Sequence, residues 1–245
     1  MDLAHWPLYG LRLRTPRLEL RLPDLPLLDE LSSVAAGGVH EPGRMPFSVA
    51  WTDGKPEEVG RAVFQHLLGT VAAWSARSWT LSLAVLHEGR VVGRQDLMGE
   101  DFGTLREVET GSWLGLPYQG RGLGTEMRAA ALHLAFAGLG ARCAVSAAML
   151  DNPRSLGVSR RLGYTDDGVK TESVRGAAVT LQRLRLDRER WEAHRRVEVT
   201  VEGLEACRPL FGDAPPTASP PQRFLRGRYG WEGPRRRGPG ASGNR

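Results

Sequence analysis

The chain has 245 residues, of which 41% are hydrophobic and 25% are charged, a composition typical of a soluble globular protein. Its formal net charge of +5 resides in residues 213–245, which hold seven arginines and two acidic residues. Residues 1–212 are neutral by count, and this disfavours a domain that grips nucleic acid through a basic surface.

Signals for targeting, disulfides and metals are weak. No apolar run approaches the length of about 18 residues that a membrane span needs, and Met1–Pro7 lacks the basic start of a signal peptide. Cys143 and Cys207 are too few for a disulfide framework or a thiolate metal site. We therefore expect a cytoplasmic protein without a metal or a membrane partner.

The first half of the chain predicts short strands at residues 11–14 and 18–22, where apolar and polar residues alternate. Asp24 predicts the start of a helix that continues to about Ala36. Residues 40–54 predict a loop, and Pro56 predicts the start of a second helix.

The second half begins with a predicted hairpin, in which Glu88-Gly89 joins strands at 79–87 and 90–97. The next predicted strand is Glu107–Leu116, whose interior glycines suggest a bulge or the close approach of a ligand. The elements expected after a glycine-rich turn are a helix to about Phe136, a strand at 142–149, a helix at 152–162, a strand at 179–186 and a helix at 187–194.

This order indicates one α+β (mixed α/β) domain without a repeat or a second core. We expect a short N-terminal segment at 1–10, the domain at 11–194, an extension at 195–212 that packs on the domain, and a tail at 213–245. Because the tail is rich in proline, glycine and arginine, we expect it to be disordered.

The glycine-rich turn Gln119–Gly124 lies between a predicted strand and a predicted helix. Glycines let the backbone approach a ligand closely, and the first N–H groups of a helix favour an anion such as a diphosphate. The glycine spacing is that of neither the dinucleotide motif nor the P-loop. On this motif alone, a helix start that binds no ligand is an equal alternative.

A second motif follows one strand later, where Asn152 and Ser155 begin a helix that Leu162-Gly163-Tyr164 ends. The two motifs in this order resemble the GCN5-related N-acyltransferase (GNAT) superfamily over roughly residues 11–190. Leu13–Leu18 resembles the start of its RimJ/RimL-type branch. Further segments, including 5–8, 38–42, 44–49, 111–115 and 208–212, are similar to a mycobacterial member regarded as a succinyl-CoA-dependent succinyltransferase.

The resemblance implies a GNAT fold, whose mostly antiparallel central sheet is flanked by helices and splays between two strands to admit the pantetheine arm of coenzyme A (CoA). Those strands would be 107–116 and 142–149. A backbone N–H at their edge could stabilise charge on the thioester oxygen. The implied pantetheine contacts are Trp113, Leu114 and Leu116, and the implied pyrophosphate contacts are Gln119, Gly120, Arg121, Gly122, Leu123, Gly124 and Thr125, with no metal.

Three residues near the second motif each have two interpretations. Asn152 before Pro153 is a favourable helix cap, and the resemblance implies that it also contacts pantetheine. Ser155 would stabilise or protonate the leaving CoA thiolate, or its hydroxyl is satisfied by the backbone. Tyr164 would act as an acid, or it is a core aromatic residue with its hydroxyl at the rim.

The implied reaction is direct attack of an amine on the thioester, which requires that the amine lose a proton. Glu109, on the strand that leads to the split, is the predicted base, and Glu107 is the second candidate; both are otherwise exposed strand charges. Arg44 is a candidate partner for a succinyl carboxylate.

The acceptor pocket would lie beside the first two helices and the loop that joins them. Its candidate walls, which are otherwise ordinary core residues, are Phe47, Trp51 and Trp74.

The sequence therefore predicts an N-acyltransferase that uses acetyl-CoA or succinyl-CoA and acts on a primary amine of a protein or small molecule; a homo-oligomer stays open. One alternative is an inactive CoA-binding sensor. Another is an RNA- or ribosome-associated module, based on tail arginines such as Arg235–Arg237 among Phe224, Tyr229 and Trp231. A solvated, disordered tail is the preferred interpretation of these residues.

Overall fold

Residues 3–212 are described by a computed structural model, and residues 1–2 and 213–245 lie outside the described part of the chain. The predicted disorder of the tail therefore concerns residues outside that part. So does the RNA-binding alternative that rests on the tail arginines.

The described residues form nine strands in one sheet, in the order β7-β8-β6-β5-β4-β3-β2-β1-β9. The strands are β1 (Arg12–Arg14), β2 (Leu18–Arg21), β3 (Ser78–His87), β4 (Arg90–Glu100), β5 (Glu107–Leu114), β6 (Cys143–Met149), β7 (Thr165–Val174), β8 (Ala177–Asp187) and β9 (Thr200–Glu202). The helices are α1 (Leu25–Ala36), α2 (Pro56–Ala72), α3 (Phe102–Leu105), α4 (Leu123–His133), α5 (Pro153–Arg161), α6 (Arg188–His194) and α7 (Leu204–Cys207).

Neighbouring strands of this sheet are antiparallel except β5 and β6, which are parallel. Helices cover both faces of the sheet. Because successive side chains of β5 point to opposite faces, their contacts show which helices cover each face. Val108 and Leu114 pack in one core with Leu123 and Met127 of α4. Trp113 packs in a second core with residues of α1 and α2. The predicted α+β class with a mostly antiparallel sheet is confirmed.

Local signals in the first half of the chain are borne out. The Asp24 carboxylate accepts a hydrogen bond from the Leu27 N–H at 3.0 Å and so caps α1. Glu88 and Gly89 form the turn of the β3–β4 hairpin with φ values of 52° and 77°. Residues 40–54 form a loop, as predicted.

Three predictions about strands need correction. The strand predicted to reach Leu116 ends at Leu114, and Pro117 has no N–H with which to extend a ladder. β5 pairs with β4 in continuous register, so its glycines mark no bulge there. β7 was missed because most of its residues are exposed, which leaves no apolar alternation to detect.

The C-terminal part of the described chain adds to the same sheet and core. β9 pairs with β1, and Phe211 is fully buried. Trp74 packs against Phe211, with ring centroids 5.5 Å apart, and its indole N–H donates to the Leu210 carbonyl at 2.9 Å. Trp74 therefore belongs to this core and not to the cluster of Phe47 and Trp51, which supports its interpretation as an ordinary core residue over that of a pocket wall.

Candidate active site

The sheet opens between β5 and β6. These strands share three register positions, Glu107–Glu109 opposite Cys143–Val145. Beyond them β5 stays paired with β4 as far as Leu114, and β6 stays paired with β8 as far as Met149. The two strands that the sequence predicted to splay apart do so, and their backbone edges face each other along the split.

Hydroxyl groups close the split at its base. The Ser146 hydroxyl donates to the Thr110 carbonyl at 3.3 Å, and the Thr110 hydroxyl lies 3.2 Å from the Tyr164 hydroxyl. Tyr164 is only 3% exposed, which confirms that it is a core aromatic residue, but its hydroxyl is buried and does not lie at the rim as predicted. Burial raises the pKa of Tyr164, and the phenol therefore stays protonated at neutral pH and can donate a hydrogen bond.

The glycine-rich turn leads directly into α4. Gly120 and Gly122 have φ values of +74° and +80°, a left-handed conformation that favours glycine. Gly122 is the N-cap of α4, and no side chain caps this helix end among the described residues. The first N–H groups of α4 therefore lie at a helix start of the kind that binds anions.

Two predicted CoA contacts are engaged within the protein. The Gln119 amide donates to the carbonyls of Val39 and Leu114 at 2.8 and 2.9 Å. The Leu116 N–H donates to the Gly38 carbonyl at 3.1 Å, and the predicted contact of Leu116 with pantetheine stays a prediction. These bonds tie the loop after α1 to the end of β5.

An ion pair between Glu126 and Arg17, which the sequence analysis missed, anchors α4 beside the turn. The Glu126 carboxylate accepts from the Thr15 hydroxyl at 2.6 Å and from Arg17 Nε at 2.6 Å. Burial opposes ionisation of Glu126, but these hydrogen bonds prevail and lower its pKa. Arg17 also donates to the Arg121 carbonyl at 3.2 Å, so the pair places a cation beside the turn.

The second motif lies on α5, across the split. Asn152 Oδ1 accepts the Ser155 N–H at 3.2 Å, which confirms the capping interpretation of Asn152. Ser155 is half-buried in the first turn of α5, and its carbonyl accepts from the Ser159 hydroxyl at 3.3 Å. The pantetheine contact of Asn152 and the role of Ser155 stay predictions.

On the face covered by α1 and α2, Glu109 is exposed at the last position that β5 and β6 share. Glu107 forms an ion pair with Arg185 at 3.1 Å. Asp96 of β4, which the sequence analysis missed, lies opposite Gly111 of β5 and forms an ion pair with Arg94 at 2.9 Å. Its only sequence signal is a charge within a strand pattern.

The 40–54 loop (residues 40–54) spans this face. Phe47 packs on Trp51, and Trp51 on Trp113 of β5, with ring centroids 5.0 and 5.8 Å apart. Towards the β6 side of the split, Arg44 donates to the Asp151 carbonyl. Arg44, the candidate for a succinyl carboxylate, is thus already bonded to the β6–α5 turn.

A buried arginine, also missed from the sequence, lies on the opposite face. Arg128 of α4 donates to the Ser159 hydroxyl at 2.8 Å and to the Ser112 hydroxyl at 3.1 Å. Arg128 comes directly after the buried Met127 of α4, and the sequence pattern of an amphipathic helix gives no signal that a charge at such a position is buried.

Comparison with known proteins identifies the family. Residues 17–165 match the family described as an acetyltransferase (GNAT) domain. The chain belongs to the GNAT family. Its members use acyl-CoA, so this GNAT protein is an acyl-CoA-dependent N-acyltransferase. Among the described residues, no group of three His, Cys, Asp or Glu side chains is placed to hold a metal ion, and no helix has the length and apolarity to cross a membrane.

Several solved structures are similar to this GNAT protein. A GCN5-related N-acetyltransferase from Brucella melitensis has 22% identity and a TM-score of 0.60, covering 75% of this chain and 81% of that one. Mycobacterium smegmatis RimJ in complex with CoA-disulfide has 18% identity and a TM-score of 0.59, covering 78% and 98%. RimL, a ribosomal L7/L12 alpha-N-protein acetyltransferase in complex with CoA, has 19% identity and a TM-score of 0.53, covering 71% and 95%. The likeness shows the GNAT fold and agrees with the predicted RimJ/RimL-type branch.

Proposed function

We propose that this protein transfers an acetyl or succinyl group from acyl-CoA to a primary amine of a protein or small molecule. The observation that carries the proposal is the split between β5 and β6 together with the uncapped start of α4 beside it. A strand edge and a helix N-terminus offer backbone N–H groups, which suit an amide-containing arm and a diphosphate respectively.

The donor would lie along β5. Trp113 and Leu114 would hydrogen-bond the pantetheine amides, and the turn from Gly120 to Thr125 would bind the pyrophosphate. Arg17, held by Glu126, would add positive charge beside that turn. Asn152 and Ser155 would contact the donor from α5, on the other side of the split.

The amine would approach from the face on which Glu109 is exposed. Its nitrogen would form a bond to the thioester carbon, and Glu109 would take its proton. The carbon–sulfur bond would then break, with its electron pair left on sulfur. A hydroxyl of Ser155 or Tyr164 would return a proton to that thiolate.

The acceptor would be selected by the 40–54 loop, because Phe47 and Trp51 extend the apolar surface of Trp113, which lies on the same face of β5 as Glu109. The same loop is the part of the active-site face with the least regular structure, and loops commonly carry specificity.

Cytoplasmic location and a homo-oligomeric state are further parts of the proposal.

The test is an acyl-transfer assay with the full chain. Acetyl-CoA and succinyl-CoA are each offered with a panel of amines, and release of CoA thiol is followed together with the mass of the product. We expect amine-dependent thiol release with one donor preferred. Absence of amine-dependent release despite tight CoA binding would instead support the inactive CoA-binding sensor.

A further inference from the structure

The guanidinium of Arg128 lies across the back of the split. One of its nitrogens reaches Ser112, on the part of β5 that has separated from β6, and the other reaches Ser159 on α5. Arg128 therefore connects the two sides of the split on the face covered by α4. Arg128 is only 5% exposed, so water screens its charge only weakly.

The hydrogen-bond partners of Arg128 are neutral, unlike those of Arg17 and Arg94. Arg17 pairs with Glu126 and Arg94 pairs with Asp96, whereas both donors of Arg128 go to serine hydroxyls. Its Nε is buried without a hydrogen-bond partner. Burying a cation without an anion is costly, and this arrangement suits a place where negative charge arrives during function.

The reaction itself generates such a charge, if the proposed function is correct. With the pantetheine amides beside Trp113 and Leu114, the thioester end of the donor lies towards Ser112 and Thr110, next to Arg128. We propose that Arg128 stabilises the CoA thiolate as the carbon–sulfur bond breaks, acting as a positioned charge that neither gives nor takes a proton.

The electron balance of the step is complete without another reactant. The amine nitrogen forms its bond to the carbonyl carbon and loses a proton to the base, while the pair of the broken carbon–sulfur bond stays on sulfur. The positive charge of Arg128 lowers the energy of that thiolate until a neighbouring hydroxyl protonates it. A thiolate forms with every acyl donor, so the effect is independent of the acyl group.

The test measures the thiol pKa of bound CoA from the ultraviolet absorbance of the thiolate, in the wild-type chain and in Arg128→Gln and Arg128→Lys. An opposite charge within a few ångströms lowers a pKa by about 1–3 units. We therefore expect at least about ten-fold more thiolate at a given pH below that pKa in the wild type than in Arg128→Gln, with Arg128→Lys between them.

The same variants are assayed for turnover, and a matched control removes an arginine elsewhere. Arg128→Gln should lower kcat with acetyl-CoA and with succinyl-CoA by the same factor, while the KM of the amine stays unchanged. Arg188→Gln removes an arginine that donates to the Phe136 and Ala141 carbonyls, and it should change neither the thiol pKa nor kcat.

Two results would overturn the proposal. Equal thiol pKa values in wild type and Arg128→Gln would show that the charge does not act on sulfur. A loss of rate confined to succinyl-CoA would show that Arg128 instead binds the acyl carboxylate. If Arg128→Gln does not fold, the thiol pKa of bound CoA is compared instead between the wild type, Arg128→Lys and Ser112→Ala. Failure of the wild type to bind CoA would refute the proposed function instead.

Discussion

The two sides of the split between β5 and β6 are built from different chemistry. On the α4 side, Arg128 and Tyr164 are buried among hydroxyl groups. On the α1–α2 side, Glu109 is exposed and the 40–54 loop supplies an aromatic surface that contains Trp51. We infer that the packed side serves the donor and its leaving group, and that the exposed side selects and deprotonates the acceptor.

The largest effect should come from the exposed side, where the proposed base lies. Glu109→Gln should lower kcat by about 10²–10⁴-fold, since general base catalysis contributes that much, while CoA affinity stays unchanged. Glu107→Gln is the matched control, because Glu107 is held by Arg185; an equal loss in both variants would refute the assignment.

A smaller effect is expected from the aromatic surface on the same side. Trp51→Ala removes the ring that packs between Phe47 and Trp113 and should raise the KM of the amine by about ten-fold, the equivalent of about 1.4 kcal/mol. Kinetics with varied amine at saturating donor, and with varied donor at saturating amine, separate the two effects. A matching rise in the KM of the donor would show that the two sides are not distinct.

The smallest effect concerns the stability of the donor side. Hydrogen bonds from Thr15 and Arg17 lower the pKa of Glu126 despite its burial. The stability that the ionised Glu126 contributes to the fold is therefore present above the unfolded-state pKa, and it is lost as pH falls through the lower folded-state pKa. Glu126→Gln should cost about 1–3 kcal/mol at pH 7. Denaturant unfolding from pH 7 to below 4.5, the ordinary pKa of a glutamate, should show the stabilities of the two proteins converging on acidification, and a constant difference would contradict this.

Local signals in the sequence predicted much of the donor side. The turn at Gly120 and Gly122 and the cap at Asn152 depend on neighbouring residues only, and all three are found where the sequence placed them. Arg128 could not be predicted, because its partner Ser159 is 31 residues away. Gln119 likewise bonds the Val39 carbonyl 80 residues earlier in the chain.

The aromatic residues show a different limit. Residue type alone did not separate Trp74, which packs on Phe211, from Trp51, which packs on Trp113. Both are bulky apolar side chains, and which core each joins is decided by how α2 and the 40–54 loop cross the sheet. A pattern within one segment carries no information about that crossing.

The central claim, that the turn before α4 binds the CoA diphosphate, can be tested with two glycines of nearly equal conformation. Gly120 and Gly140 have φ values of +74° and +73°, and a Cβ at either would meet no atom within 4 Å, so valine should strain both positions alike.

The deciding measurement is calorimetric titration of CoA into wild type, Gly120→Val and Gly140→Val. The account predicts that Gly120→Val weakens CoA binding by at least about ten-fold, or about 1.4 kcal/mol, while Gly140→Val binds like the wild type. Equal affinity in all three proteins would contradict it.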